Sequence, residues 1–173
     1  MRRIFFLIIL YLACLGMLSQ ALAQSEEDFE KKGLKHFDNA FFKAMPQKNK
    51  AMADREFALA EKAFQKAIEK NPQRVKAYLH LGRTYSAQKK YSAAAETYRS
   101  ALVIAPQQKK IYLRLASALE KDGDYQGAIN ALEALRSLET DERAIRIIDD
   151  FIGKMEKRAA RTNPDNSQSG ELP

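Results

Sequence analysis

The sequence predicts an all-α protein of antiparallel helix-turn-helix pairs that stack on one another and end in a C-terminal capping helix. Three observations carry that expectation. Segments of the chain recur at one fixed offset, the step from Tyr78 to Tyr112 and from Pro72 to Pro106. The five prolines (46, 72, 106, 164 and 173) lie far apart, as punctuation between long segments, and with seven glycines they are too few for a loop-rich all-β domain. At 173 residues, with 46% apolar and 29% charged residues, the chain has the length and composition of about one soluble domain.

The first element is a targeting segment, set aside before the fold is considered. Met1-Arg2-Arg3 is a short positive start, Ile4 to Leu18 is an uncharged apolar run, and Ala21-Leu22-Ala23 is a small-x-small cleavage site. The acidic stretch Ser25-Glu26-Glu27-Asp28 follows. These parts, in this order, are those of a secretory signal over residues 1–23, with the mature chain starting at Gln24. Two other readings stand beside it. Residues 4–23 are long enough to span a bilayer as an uncleaved anchor, and Cys14 after Leu12-Ala13 allows lipoprotein processing. Arg2 and Arg3 keep the N-terminus cytoplasmic and send the rest across. The expected location is therefore a periplasm or cell envelope, with membrane association through the N-terminus as the alternative. Cys14 is the only cysteine, so a mature chain has no disulfide or thiol chemistry; a helical stack of this size needs none. The net charge of +7 falls to +5 without Arg2 and Arg3, favouring acidic partners or anionic surfaces over nucleic acid.

The repeat is legible residue by residue. Tyr78-Leu79-His80-Leu81-Gly82-Arg83-Thr84-Tyr85 aligns with Tyr112-Leu113-Arg114-Leu115-Ala116-Ser117-Ala118-Leu119. The same offset pairs Tyr91 with Tyr125, Ala94 with Ala128, Tyr98 with Leu132 and Ala101 with Leu135. Running backwards it pairs Phe57 with Tyr91, Ala60 with Ala94, Phe64 with Tyr98, Ala67 with Ala101 and Pro72 with Pro106. On these residues the chain resembles the tetratricopeptide-repeat family, and the resemblance implies a short right-handed solenoid of helix pairs. With Val75 as the first position, Tyr78, Leu81, Gly82, Tyr85, Ala94, Tyr98, Ala101 and Pro106 all fall where the family places those residue types.

The helical domain is expected over 24–161. A degenerate unit spans 26–74. Its second helix, from about Met52 to Lys70, fits the pattern, but its first, about Glu26 to Ala44 with Phe29, Gly33, Phe37 and Phe41, is out of step. Gly33 precedes Ala60 by more than twice the distance that separates Gly82 from Ala94, so Met45 to Lys50 reads as a longer connection. The full unit spans 75–108. Gly82, Ala94 and Ala101 are small where helices cross closely, Tyr78, Leu81, Tyr85 and Tyr98 fill the space between, and Pro106 ends the second helix. A looser unit spans 109–142, with its turn at Gly123-Asp124 and Ala116, Leu135 and Thr140 in place of Gly, Ala and Pro. Those departures mark the end of the array. Thr140 reads as the N-cap of a helix over 141–161 that turns Ile145, Ile148, Phe151, Ile152 and Met155 towards the stack. The polar tail 162–173 reads as disordered.

Catalysis has little to stand on. His36 and His80 are far apart in sequence, and no metalloprotease, nucleophile-elbow or phosphate-loop motif is present. Neither an enzyme, nor a cofactor, nor a metal site is expected. Asp149-Asp150 reads as solvated surface. The resemblance does imply a binding face, because the second, sixth and ninth positions of each unit line a concave groove in the family. Here they are Lys76, His80 and Arg83, then Lys110, Arg114 and Ser117. Their i, i+4, i+7 spacing puts each trio on one helical face, so a basic groove is expected. Lys110 and Arg114 match part of the carboxylate clamp of chaperone-binding members, while His80 stands where that clamp has Asn. The expected partner is a protein, through an acidic segment or a C-terminal carboxylate. A membrane-tethered subunit or assembly factor of a secretion, pilus or outer-membrane machine, and a self-associating structural protein, are the other roles the pattern allows.

Overall fold

The computed structural model describes residues 27–162. The targeting segment 1–23 and the tail beyond Thr162 lie outside those residues. Among the described residues every regular element is helical. Helix α1 runs over 27–38 and continues as a π-helical segment, Asn39–Ala44. The others are α2 (Lys50–Lys70), α3 (Val75–Ala87), α4 (Tyr91–Ile104), α5 (Lys109–Asp122), α6 (Tyr125–Ser137) and α7 (Glu142–Thr162). By its contacts the chain divides into two units, residues 1–80 and 81–173, the division falling inside α3.

In the first unit α1 and α2 form a long hairpin, and the start of α3 follows them. Phe37, Phe57 and Phe64 are buried with alanines between them, among them Ala40, Ala60 and Ala67. Phe37 and Phe57 meet edge to face at 5.8 Å. Polar ties cross this apolar seam. Glu56 accepts from His36 Nδ1 at 2.8 Å and from Asn39 Nδ2 at 3.3 Å. Buried Glu30 accepts from Arg74 Nε at 2.7 Å, which fixes the entry to α3. The His36 hydrogen bond holds the Glu56 carboxyl below the usual carboxylate range, against the opposing effect of burial.

The out-of-step first unit has a physical explanation, and it corrects the expectation that Gly33 is misplaced. A Cβ built on Gly33 would lie 2.5 Å from the Phe64 ring, just as one on Gly82 would lie 2.5 Å from the Tyr98 ring. Both glycines let a helix press onto a buried aromatic ring. Gly33 therefore occupies the same structural place as Gly82, and the register is recovered after an insertion. The chain takes nearly twice as many steps from Gly33 to Phe64 as from Gly82 to Tyr98, and the excess is the inserted length.

The hairpin turns show where that length goes. Lys48, Lys89 and Gly123 all adopt positive φ (55°, 61° and 90°). In each case the next N–H bonds the carbonyl five positions back: Asn49 to Ala44, Lys90 to Tyr85, Asp124 to Leu119. All three hairpins thus close with one Schellman-type turn. The insertion lengthens both legs, by eight positions before Lys48 and seven after it. An addition of seven makes about two helical turns and returns side chains to nearly the same face. The eighth is one too many for an α-helix. The first leg takes it up in the π segment, where the Met45 N–H reaches the Ala40 carbonyl, since i→i+5 bonding fits one more residue into a turn. The connection expected over Met45 to Lys50 is the ordinary turn at the end of longer legs.

In the second unit α4 packs on α5, α5 on α6 and α6 on α7. Tyr98, Ile111, Leu115, Leu119, Leu132 and Leu135 make the core. Asp124 caps α6 by accepting from the Gly127 N–H at 2.8 Å. The last helix starts one residue later than expected, and its cap is Asp141, not Thr140: the Asp141 carboxylate accepts from the Arg143 and Ala144 N–H groups at 2.7 and 3.0 Å. A carboxylate reaches those orphan donors and also faces the positive end of the helix dipole. Ile148 and Met155 are buried, with Ile145 and Ile152 half-buried. Phe151, placed on this face by the sequence, is 45% exposed; it sits at the edge of the Ile145–Ile148–Ile152–Met155 stripe, with Lys154 Nζ 5.2 Å from its ring. Asp149 accepts from Arg136 at 2.6 Å, and Arg158 pairs with Glu120, tying α7 to α6 and α5.

Candidate functional site

Helix α5 presents Lys110, Arg114, Ser117 and Lys121 at i, i+4, i+7 and i+11, a single stripe along one face. The stripe borders an open cavity of about 360 Å³ in the second unit. Arg83 and Ser86 of α3, Tyr98 of α4, and Leu113 and Ala118 of α5 complete its lining. The helices are held in place by the burial of Ile111, Leu115 and Leu119 on the opposite side of α5 and by Tyr98 beneath.

The electrostatics are one-sided. Arg83, Lys110, Arg114 and Lys121 line the cavity and, among the described residues, no carboxylate does. The acids nearby in sequence are engaged elsewhere. Asp122 accepts from the Ser92 hydroxyl at 2.8 Å, Glu120 pairs with Arg158, and Glu139 accepts from Lys109 Nζ at 2.9 Å. The Lys109 ammonium, with the Thr140 and Asp141 N–H groups, holds Glu139 down at about 2. Lys109 is thereby drawn away from the stripe that Lys110 begins. Arg114 Nε is buried and has no hydrogen-bond partner among the described residues. The Arg114 side chain as a whole is half-buried and lines the cavity beside Lys110 and Ser117, where an anion would meet charge-assisted donors.

Of the six residues the sequence nominated, Arg83, Lys110, Arg114 and Ser117 come together here. Lys76 and His80 belong to the first unit. Lys76 is exposed on α3. His80 lies with Nε2 3.6 Å from Glu30 Oε1 and its ring stacked on Phe64 at 5.4 Å, a packing role. Lys121 and Ser86 were missed. Lys121 continues the α5 spacing by one more step, a signal present in the sequence but beyond the three positions the family resemblance names. Among the described residues no group of three or more His, Cys, Asp or Glu side chains is placed to hold a metal ion, and no helix is long and apolar enough to cross a membrane.

Comparison with known proteins agrees with this architecture. Two family models described as tetratricopeptide repeat match residues 49–109 and 86–147. No curated protein sequence matches the chain. Among solved structures, the TPR2B domain of yeast Sti1, determined in a complex with pHsp70, is similar with a TM-score of 0.59 at 18% identity, over 78% of this chain and 98% of that one. The Arabidopsis OM64 TPR domain gives 0.57 at 18%, over 77% and 98%. The Sgt2 TPR domain of Aspergillus fumigatus gives 0.54 at 21%, over 86% and 85%.

Proposed function

Because this chain belongs to the tetratricopeptide-repeat family, whose folds mediate protein–protein interaction, we propose that it is a binding module that takes an acidic segment or C-terminal carboxylate of a partner protein in the α5 cavity. The observation that supports this reading is the cavity lining itself: four cations, Arg83, Lys110, Arg114 and Lys121, and no acid among the described residues. Arg114 supplies a directional donor, and Lys110, Arg83 and Lys121 supply charge around it. Leu113, 49% exposed at the rim, offers apolar contact to a side chain next to the carboxylate. Affinity then comes from charge-assisted hydrogen bonds that form only when the ligand has displaced water. At 18% identity the Sti1 domain lends this reading its fold, and its complex with pHsp70 is an example of that fold holding a protein partner.

The reading is tested with peptides of acidic sequence carrying either a free or an amidated C-terminus, titrated against the wild-type chain and the R83E/R114E variant. Charge reversal should weaken binding by roughly a hundredfold or more, in line with truncation of a buried charged hydrogen-bonding partner. Equal affinity for wild type and variant would remove the cavity as the site. A free-acid preference identifies a terminal carboxylate; equal binding of both forms identifies internal acidic residues.

We place the module in a periplasm or cell envelope on the strength of residues 1–23, whose charged start, apolar run and Ala21-Leu22-Ala23 site form an export signal. Retention of residues 4–23 as an anchor would make it a tethered subunit of an envelope assembly. Intact-mass measurement of the native protein distinguishes a start at Gln24, a lipidated Cys14 and an uncut Met1. Capture of partners from the envelope fraction, with R83E/R114E as control, then identifies what it binds.

A further inference from the structure

The end of the first hairpin inverts the usual arrangement of large and small residues. Between its legs the buried positions are taken by alanines: Ala40 and Ala44 are fully buried and Ala53 is 6% exposed. The large apolar side chains point away from that seam. Phe42 is 62% exposed, Met45 46% and Phe41 39%, with Met52 of the facing leg at 37%. Small residues let the two legs approach closely. They do not explain why phenylalanine and methionine stand on the outside of a segment that exists only because the hairpin was lengthened. The aromatic cluster is ordered, with Phe37 stacked on Phe41 at 5.5 Å and Phe41 edge-on to Phe42 at 5.1 Å. The π segment Asn39–Ala44 carries both exposed rings, and such segments concentrate at functional positions.

The charge of this tip is as uneven as its hydropathy. From Asn39 to Ala53 the chain has Lys43, Lys48 and Lys50 and no acidic residue; all three lysines are exposed. Acids return only at Asp38 and Asp54, and Glu56 is already taken by His36 and Asn39. A second copy of this tip would bring three lysines against three lysines, so self-pairing through it is opposed by like charge. Exposed aromatics and exposed lysines in one short segment match the boundary between acyl chains and anionic headgroups: the rings enter the apolar layer, while the lysine stems reach back to the phosphates.

From this geometry we propose that the 39–53 tip is a docking element for anionic lipid surfaces, with Phe41, Phe42 and Met45 entering the interface and Lys43, Lys48 and Lys50 holding headgroup phosphates. It acts independently of the α5 cavity, and the two can be tested apart. The chain contains no tryptophan, so F42W provides a single reporter at the tip, at a position exposed enough to accept the larger ring. In the full chain, F42W emission should shift to the blue with vesicles of phosphatidylcholine and phosphatidylglycerol and be quenched by lipids brominated on the acyl chain. With phosphatidylcholine alone the shift should be small, and added salt should reverse it. K43E/K48E/K50E in the F42W background should lower vesicle affinity by roughly tenfold or more, with an unchanged far-UV circular dichroism spectrum. Because the reporter reads the tip, binding through residues 4–23 alone leaves its emission unmoved and overturns the proposal. Equal shifts on neutral and anionic vesicles overturn it as well. So does a blue shift that appears without lipid as protein concentration rises, or only on adding an acidic protein, since these assign the tip to a second copy or a protein partner.

Discussion

The first hairpin and the two that follow are built on one plan at two lengths. In the regular hairpins the crossing residue, Gly82 or Ala116, precedes its left-handed turn residue, Lys89 or Gly123, by seven positions, and Tyr98 or Leu132 follows that turn residue by nine. In the first hairpin the corresponding steps, from Gly33 to Lys48 and on to Phe64, are fifteen and sixteen. The crossing contact and the turn are the same; only the legs grow. A helical hairpin can therefore be lengthened without loss of its packing frame, provided the addition is close to whole turns and any odd residue is taken up locally. What the added length carries is also different: alanine between the legs and phenylalanine, methionine and lysine outside, where the regular hairpins turn back at once.

The most demanding test of that equivalence is the pair of buried rings. F64A and Y98A should each cost about 3–5 kcal/mol in denaturant unfolding, because each leaves a ring-sized cavity under a helix that cannot collapse further. A cost below about 1 kcal/mol for F64A alone would break the comparison. Next are the glycines. G33V and G82V force a side chain into space already held by a buried ring, and each should cost about 1–3 kcal/mol; differential scanning calorimetry of the two variants side by side would show whether the two crossings are equally tight. A smaller effect is expected from deleting Lys43. That leaves seven added positions on each leg, removes the need for the π segment, and should change stability by no more than about 1 kcal/mol, as for an ordinary exposed position. Loss of cooperative unfolding would show that the eighth residue has another role.

The smallest effect separates the clasps of the two regions. Glu56 in the first and Glu139 in the second both have folded-state carboxyls held below the ordinary value of 4.5, Glu139 down to about 2. Each favours the folded state above the unfolded pKa, and that contribution fades as pH falls through the folded one. Glu139 should therefore keep its Lys109 clasp well below pH 4, and E139Q should flatten the fall in Tm between about pH 5 and pH 2. A carboxyl resonance for Glu139 that titrates at its ordinary value would remove this difference.

Much of the fold is legible in the sequence. The fixed offset that carries Tyr78 onto Tyr112 identifies the helix pairs, and Gly82, Ala94 and Ala101 mark where helices cross closely. All three α5 residues named for the binding face, Lys110, Arg114 and Ser117, lie on the stripe that lines the cavity. The misreading of Gly33 had a definite cause: a fixed period cannot register an insertion split between two legs, since both halves shift at once. Lys121 lies one step beyond the three positions per unit that the family resemblance names. The family resemblance puts His80 in a groove by its position in the repeat, whereas in the structure it faces Glu30, far back in α1.

The sequence by itself determined the helices and, in the regular repeats, the alternation of small and large residues at the crossings, because these depend on residues within one repeat and are set by local periodicity, capping and steric size. Only the tertiary structure decided which exposed residues lie together. The gathering of Arg83 with the α5 cations, the ring stacked on His80, and the close approach of α1 and α2 that turns Phe41 and Phe42 outward all arise between segments distant in the chain. Solvent exclusion and charge proximity are properties of the packed arrangement, and the one-dimensional pattern carries them only after the legs of each hairpin have been brought face to face.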